Sequence, residues 1–267
     1  MTHAKQTAKA PSAAHKRRAD QYNDPKHNYL KYWAGRDYEH AAEAVAIRRL
    51  LRGKHFKTAV DIGGGYGRLC VLLEQFADDV TLAEPSQQQL DIAADYLKDH
   101  PEVHRKLMQA DDLKFKANSV DLITMIRVMH HLPDPSTEFG EIARVLSRDG
   151  YAIIEVANYL HIRNRIKHLA RRERMPVKPV DIRSPENQRE DEIPFVNHNP
   201  YTVLRQLQHA GLHVEATLSV SNLRSVRLKK IMSREVMLGA EKMLQRPLAT
   251  IYFGPSIFFL VRKTHET

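Results

Sequence analysis

Short apolar runs alternate along this chain with longer amphipathic stretches, the rhythm of strands followed by helices. Thr58–Ile62, Asp79–Glu84, Tyr151–Val156, Leu212–Leu218 and Ser256–Arg262 read as strands. Between them, Ala41–Leu51, a segment opening at Arg68, Gln87–Lys98, Pro135–Leu146 and Pro200–Ala210 read as helices. Asn199 is an N-cap with Pro200 at the first helical position and Gly211 just past the end. The order predicts an α/β protein with a doubly wound sheet. Two stretches break the rhythm: 158–198, a basic helical segment followed by a Pro-interrupted loop, and 222–247, helical and basic. They are expected to be insertions and candidate lids, since open α/β sheets bind ligands beyond the carboxyl ends of their strands.

The first strand closes on Asp61 and runs into Gly63, Gly64, Gly65 and Gly67. A strand, a glycine turn and a helix start form a nucleotide cradle, because glycine permits positive φ and leaves the backbone amides open to a ligand. The dinucleotide spacing Gly-x-Gly-x-x-Gly fails: from Gly63 its last position is Arg68, and from Gly65 it is Cys70. Glu84 ends the second strand 23 residues after Asp61, where a carboxylate holds ribose hydroxyls. Pro85 and Ser86 follow it, so helix capping is the competing role.

Asp61-x-Gly63-x-Gly65-x-Gly67 resembles the first motif of the class I S-adenosylmethionine-dependent methyltransferases, in the type 11, UbiE-like branch. Leu107–Phe115 resembles the family's adenine-binding segment, with Gln109 where an Asp is usual and Ala110 and Asp111 beside it. The segment from Ser119 through His130-His131-Leu-Pro-Asp134 is similar to the family's fourth strand and following loop, and Arg144-Val-Leu146 with Gly150 to the turn before its fifth strand. These matches span about residues 58–157. The resemblance implies a Rossmann-like, seven-stranded, mostly parallel sheet with an antiparallel last strand, helices on both faces and insertions after strands five and six. It implies S-adenosyl-L-methionine as cofactor, bound by Asp61, the four glycines, Glu84, Pro85, Gln109, Ala110, Asp111 and Arg127. A segment at 21–56 is expected to cover the cofactor, with Trp33, Arg36 and Tyr38 closing the pocket or touching the methionine carboxylate; the alternative is that Trp33 and the tyrosines only pack the first helix on the sheet. The methyltransferase domain would then be 57–267. Asn199-Pro-Tyr201 is similar to the box of amino-methylating enzymes, but it lacks the second proline and the position, and reads as capping alone.

Charge adds a second theme. Residues 1–36 carry eight cations against two acids, 159–183 eight against two, and 222–246 seven against two, together +17 in a chain whose total is +9. The remainder is therefore close to −8. Basic decorations around an acidic core suggest an anionic partner, although solvated helix faces have the same composition. Residues 1–20 have few large apolar side chains and are expected to be a disordered basic tail. The single cysteine, Cys70, reads as a core residue and favours a reducing cytoplasm; no secretory leader and no membrane span are read.

Displacement at a sulfonium methyl needs alignment and exclusion of water more than a base. Where an acceptor proton must leave, His130 and His131 are the candidates, with His161 and His198 behind them. No metal-ligand spacing or phosphate-binding Gly-Lys-Ser/Thr loop is present, so a metal centre and ATP chemistry are not expected. The leading reading is methyl transfer to a small-molecule or lipid-like, possibly anionic acceptor. An RNA methyltransferase and a catalytically silent cofactor-binding scaffold are the alternatives.

Overall fold

The structure is a computed structural model and describes residues 33, 35–185, 188 and 194–264. The expected basic tail and the start of the covering segment lie outside the described residues. Nine strands form among the described residues: β1 Phe56–Ile62, β2 Ala77–Glu84, β3 Val103–Leu107, β4 Val120–Met125, β5 Leu146–Ala157, β6 Val180–Asp181, β7 Val196–Asn197, β8 Leu212–Val220 and β9 Ser256–Lys263. The helices among the described residues are α1 Asp37–Leu50, α2 Cys70–Leu73, α3 Gln87–Tyr96, α4 Ser136–Val145, α5 Ile162–Arg171, α6 Pro200–His209, α7 Val226–Ile231 and α8 Arg234–Leu244.

Seven strands make one sheet in the order β3-β2-β1-β4-β5-β9-β8. Pairing is parallel from β3 through β5, and β9 runs antiparallel to both neighbours. Successive side chains in the central strands point to opposite faces and divide the core in two. Leu122, Ile153, Phe258 and Leu260 pack with α1, α2 and α3 on one face. Ile123, Ile154, Phe259 and Val261 pack with Phe139 and Ile142 of α4 and Val203 and Leu207 of α6 on the other. Cys70 is fully buried in the first cluster, as expected.

The capping expected at α6 is present, with the Asn199 side chain accepting from the Tyr201 amide at 3.0 Å. Two expectations are corrected. Ser147–Gly150 is not a turn but the first part of β5, which absorbs a register shift against β4 between Val120 and Leu122. Glycine suits position 150 because a Cβ there would lie 3.0 Å from the Asp121 carbonyl oxygen. The stretch after α5 is not all loop: β6 and β7 pair as a two-stranded antiparallel ribbon. Beside it, Asp181 holds the Arg183 guanidinium at 2.7 Å and the Arg183 amide at 3.0 Å.

Candidate functional site

The parallel strands β1, β2 and β4 end together, and the sequence-nominated residues gather at that edge. After β1 the chain turns on Gly63, Gly65 and Gly67, all at positive φ. The Gly63 amide donates to the Ala83 carbonyl at 2.7 Å, which ties the loop to β2. A Cβ at Gly63 would lie 2.6 Å from Val128 Cγ2, and one at Gly64 would overlap Asp61 Oδ2 and come within 2.6 Å of Leu82 Cδ1. Asp61 thus sits beneath the loop, not facing outward from it. Its Oδ1 accepts from the Thr124 hydroxyl at 2.6 Å and Oδ2 faces the Cys70 thiol at 3.9 Å. Burial raises its pKa to about 6, against the lowering pull of the Thr124 bond and Arg68.

Glu84 is buried at the end of β2. Its Oε2 accepts the Gly65 amide at 2.9 Å and its Oε1 the Ser86 amide at 3.0 Å. Of the two roles read from the sequence, the helix-entry role is seen: one oxygen stiffens the entry to α3, whose N-cap is Ser86, and the other lies against the glycine loop. Burial pushes the Glu84 carboxyl up to about 7 even though two amides favour its ionised form. Pro85 is half-buried beside it. The Met108 amide donates to the Glu84 carbonyl at 3.1 Å, so the loop carrying Gln109, Ala110 and Asp111 stays next to Glu84. That loop closes by an isolated bridge between Gln109 and Asp112, and its far end is pinned where Glu141 Oε1 accepts the Leu113 amide at 2.8 Å.

Beside the glycine loop lies a group of residues of which the sequence reading names only Arg127 and Trp33 for the site. Glu43 of α1 is fully buried, with Arg68 on one carboxylate oxygen at 2.7 Å and Arg127 on the other at 2.7 Å. Burial alone would raise the Glu43 pKa, but the two guanidinium groups overcome it and hold the carboxyl below its usual range. Trp33 stacks on Arg68, the guanidinium carbon 3.8 Å from the ring centroid, and Arg127 lies 5.6 Å from it. The Arg127 backbone, at φ 64°, donates its amide to Glu155 Oε2 at 3.2 Å. Glu43, Glu155 and Arg68 were visible as charges inside otherwise apolar periods of a helix, a strand and a helix start. Arg127 and Trp33 are therefore brought to the site. Arg36 stands half-buried at the start of α1. Tyr38 is not part of the site: its hydroxyl donates to Glu241 Oε2 of α8 at 2.9 Å, because that buried carboxylate needs a donor.

His130 and His131 lie on a 3-10 turn after β4. His130 is buried against Phe195, ring centroids 4.4 Å apart, and burial with His131 and Arg127 nearby keeps it neutral, well below the ordinary histidine range. His131 Nδ1 donates to the Pro194 carbonyl at 3.2 Å, which fixes the tautomer and makes Nε2 the acceptor atom. His198 donates to the Met129 carbonyl at 2.9 Å and braces this turn. His161 precedes α5 as its N-cap residue. Among the described residues, no cluster of side chains is arranged to hold a metal ion.

Residues 60–154 match the model of a methyltransferase domain family. An uncharacterised methyltransferase of Bacillus subtilis, YcgJ, is 26% identical over 93 residues, a match spanning 34% of this chain and 37% of that relative. Among solved structures, the methyltransferase in complex with the Trm112 methyltransferase activator of Haloferax volcanii superposes with a TM-score of 0.64 at 19% identity, covering 94% of this chain and 99% of the other. A Thermotoga maritima S-adenosylmethionine-dependent methyltransferase gives 0.63 at 16% identity, covering 92% and 99%. The fold accommodates the cofactor on physical grounds as well: three glycines at positive φ let the turn follow β1 closely, and a buried carboxylate stands beside it. Domain match, strand order and glycine loop together support a class I S-adenosylmethionine-dependent methyltransferase, with the methyltransferase domain at residues 60–154.

Proposed function

We propose that this methyltransferase acts on an anionic, small-molecule or lipid-like acceptor. The observation that carries the reading is a convergence of cations at the carboxyl edge of the sheet. Arg224, from the insertion before α7, lies within electrostatic reach of Arg127, from the loop after β4, and of Arg163, from α5. These guanidinium groups from distant segments repel one another and burial further disfavours the Arg224 charge, while Glu39 and Glu155 act against that repulsion. An anion between them would relieve it.

When bound, S-adenosylmethionine supplies an electrophilic methyl carbon. The Gly63–Gly67 loop and the Glu84 carboxylate are proposed to hold its nucleoside, with Gln109, Ala110 and Asp111 lining the base. Asp61 acts from beneath by fixing the loop. Glu43 aims Arg127, and Trp33 roofs the arginine pair and excludes water. His131 Nε2 is the better candidate to take an acceptor proton; His130, buried and stacked, shapes the wall. These groups align and desolvate two reactants, which is most of what such a displacement requires.

The test is turnover of labelled cofactor across paired acceptors that differ only in a phosphate or carboxylate. The wild-type enzyme should prefer the anionic member, and Arg224→Gln should raise its KM about tenfold while leaving the neutral member unchanged. Equal use of both members would refute the reading.

A further inference from the structure

Helix α5 is turned the wrong way for a surface helix. Ordinarily the apolar stripe of an amphipathic helix faces the core and the polar stripe faces water. In α5 the inward side chains are mostly polar: beside half-buried Ile162, Asn164 donates to the Tyr159 carbonyl at 2.9 Å, Arg165 to the Leu160 carbonyl, and His168 meets the Tyr159 hydroxyl at 3.2 Å. No residue of α5 is buried. Ile166 is 60% exposed and Leu169 79%, and with Ala170 they form one stripe at i, i+3 and i+4. Along its border run Arg163, Lys167 and Arg171, also exposed and spaced four apart, and Arg172 and Arg174 continue the charge past the helix end. Val177 adds another exposed apolar side chain at 56%.

We infer that α5 is an interfacial helix that docks this enzyme on the surface of an anionic phospholipid bilayer, Ile166 and Leu169 entering the acyl boundary and Arg163, Lys167 and Arg171 meeting headgroup phosphates. An apolar stripe edged by cations is the composition that binds there. Nucleic acid would match the charge but leave the aliphatic stripe in water, where aromatic side chains would be expected instead. Among the described residues, no helix is long and apolar enough to cross a membrane, which leaves a helix lying on the surface. Arg163 belongs both to this border and to the cation cluster with Arg224, so docking would set the acceptor mouth against the bilayer. The inference rests on the proposed acceptor class only for what the enzyme would collect there.

Vesicle flotation of the whole chain tests it, without cofactor or acceptor, so that a failed docking test and a failed acceptor test remain separate results. Wild type should float with phosphatidylcholine vesicles containing phosphatidylglycerol and stay behind with phosphatidylcholine alone. Lys167→Gln with Arg171→Gln should weaken partitioning roughly thirtyfold, and Ile166→Ser with Leu169→Ser roughly tenfold. All four side chains are exposed, so both variants should unfold at the wild-type temperature. Absence of wild-type flotation, or binding that survives either variant, overturns the inference. So does retention on immobilised RNA that only the charge variant loses, or a dimer that the serine variant dissociates.

Discussion

Glu84 makes a quantitative prediction because its environment opposes the charge that a bound nucleoside would need. In the free protein, burial keeps its proton until about pH 7 although an unperturbed glutamate releases it near 4.5. Ribose hydroxyls donate to an ionised carboxylate, so the binding-competent fraction is the ionised one. That fraction is about one eleventh at pH 6 and about ten elevenths at pH 8, and cofactor affinity should rise about tenfold across this interval. Stability moves the opposite way. Between pH 4.5 and about 7 the folded state holds a proton that the unfolded state has released, so cofactor-free stability falls through this window and levels above it. The displacement is worth about 3 kcal/mol at its limit. Glu84→Gln removes the titration and leaves one of the Gly65 and Ser86 amides without an acceptor. Its cofactor affinity should be at least tenfold weaker at pH 8 and nearly independent of pH. Calorimetry with S-adenosylhomocysteine and urea unfolding, each run on both proteins at matched pH values, give the two comparisons. Parallel pH profiles in wild type and variant, or a wild-type affinity that falls toward pH 8, would refute the reasoning.

Gly64→Ala should cost about 1–3 kcal/mol in urea unfolding and weaken cofactor binding as well, since its Cβ would overlap Asp61 Oδ2 and press on Leu82. Glu43→Gln leaves two guanidinium groups without their shared buried counter-charge and should cost about 3–5 kcal/mol at neutral pH. Because the Glu43 carboxyl is depressed in the folded state, its contribution is present above the ordinary glutamate pKa and lost as pH falls through the folded value. The difference between wild type and Glu43→Gln should therefore narrow in acid; a constant difference would show that packing, not charge, is responsible.

What was legible in the chain is what is encoded over short distances. The glycine spacing fixes backbone geometry within seven residues, and Glu84 and the Gln109 loop follow at the ends of adjacent strands, so their grouping comes with the sheet order. Interactions between distant segments carry no such local mark. Tyr38 looked like a pocket aromatic, yet its partner Glu241 is 203 positions away, and only the docking of α8 on α1 explains the hydroxyl. Arg127 meets Glu43 across 84 positions. A hint existed, because Glu39 and Glu43 recur four apart on the same side of α1 as Ile47 and Leu50, where an apolar stripe has no use for carboxylates unless cations answer them.

Helix α5 shows a different limit. Its periodicity reveals that it has two faces but says nothing about which one meets the protein. That choice is made by what the neighbouring chain offers: backbone carbonyls at Tyr159 and Leu160 and the Tyr159 hydroxyl, acceptors and donors left over where β5 ends. Polar side chains satisfy those groups, and Ile166 and Leu169 cannot. The strand end thus requires a polar inward face, and the same requirement turns the apolar stripe and its arginine border outward, on the side where Arg163 lies within electrostatic reach of Arg224. Placing aliphatic residues at Asn164 and His168 would give α5 a second apolar face while leaving those strand-end groups unpaired, so burying Ile166 and Leu169 would require rebuilding the edge of the site itself.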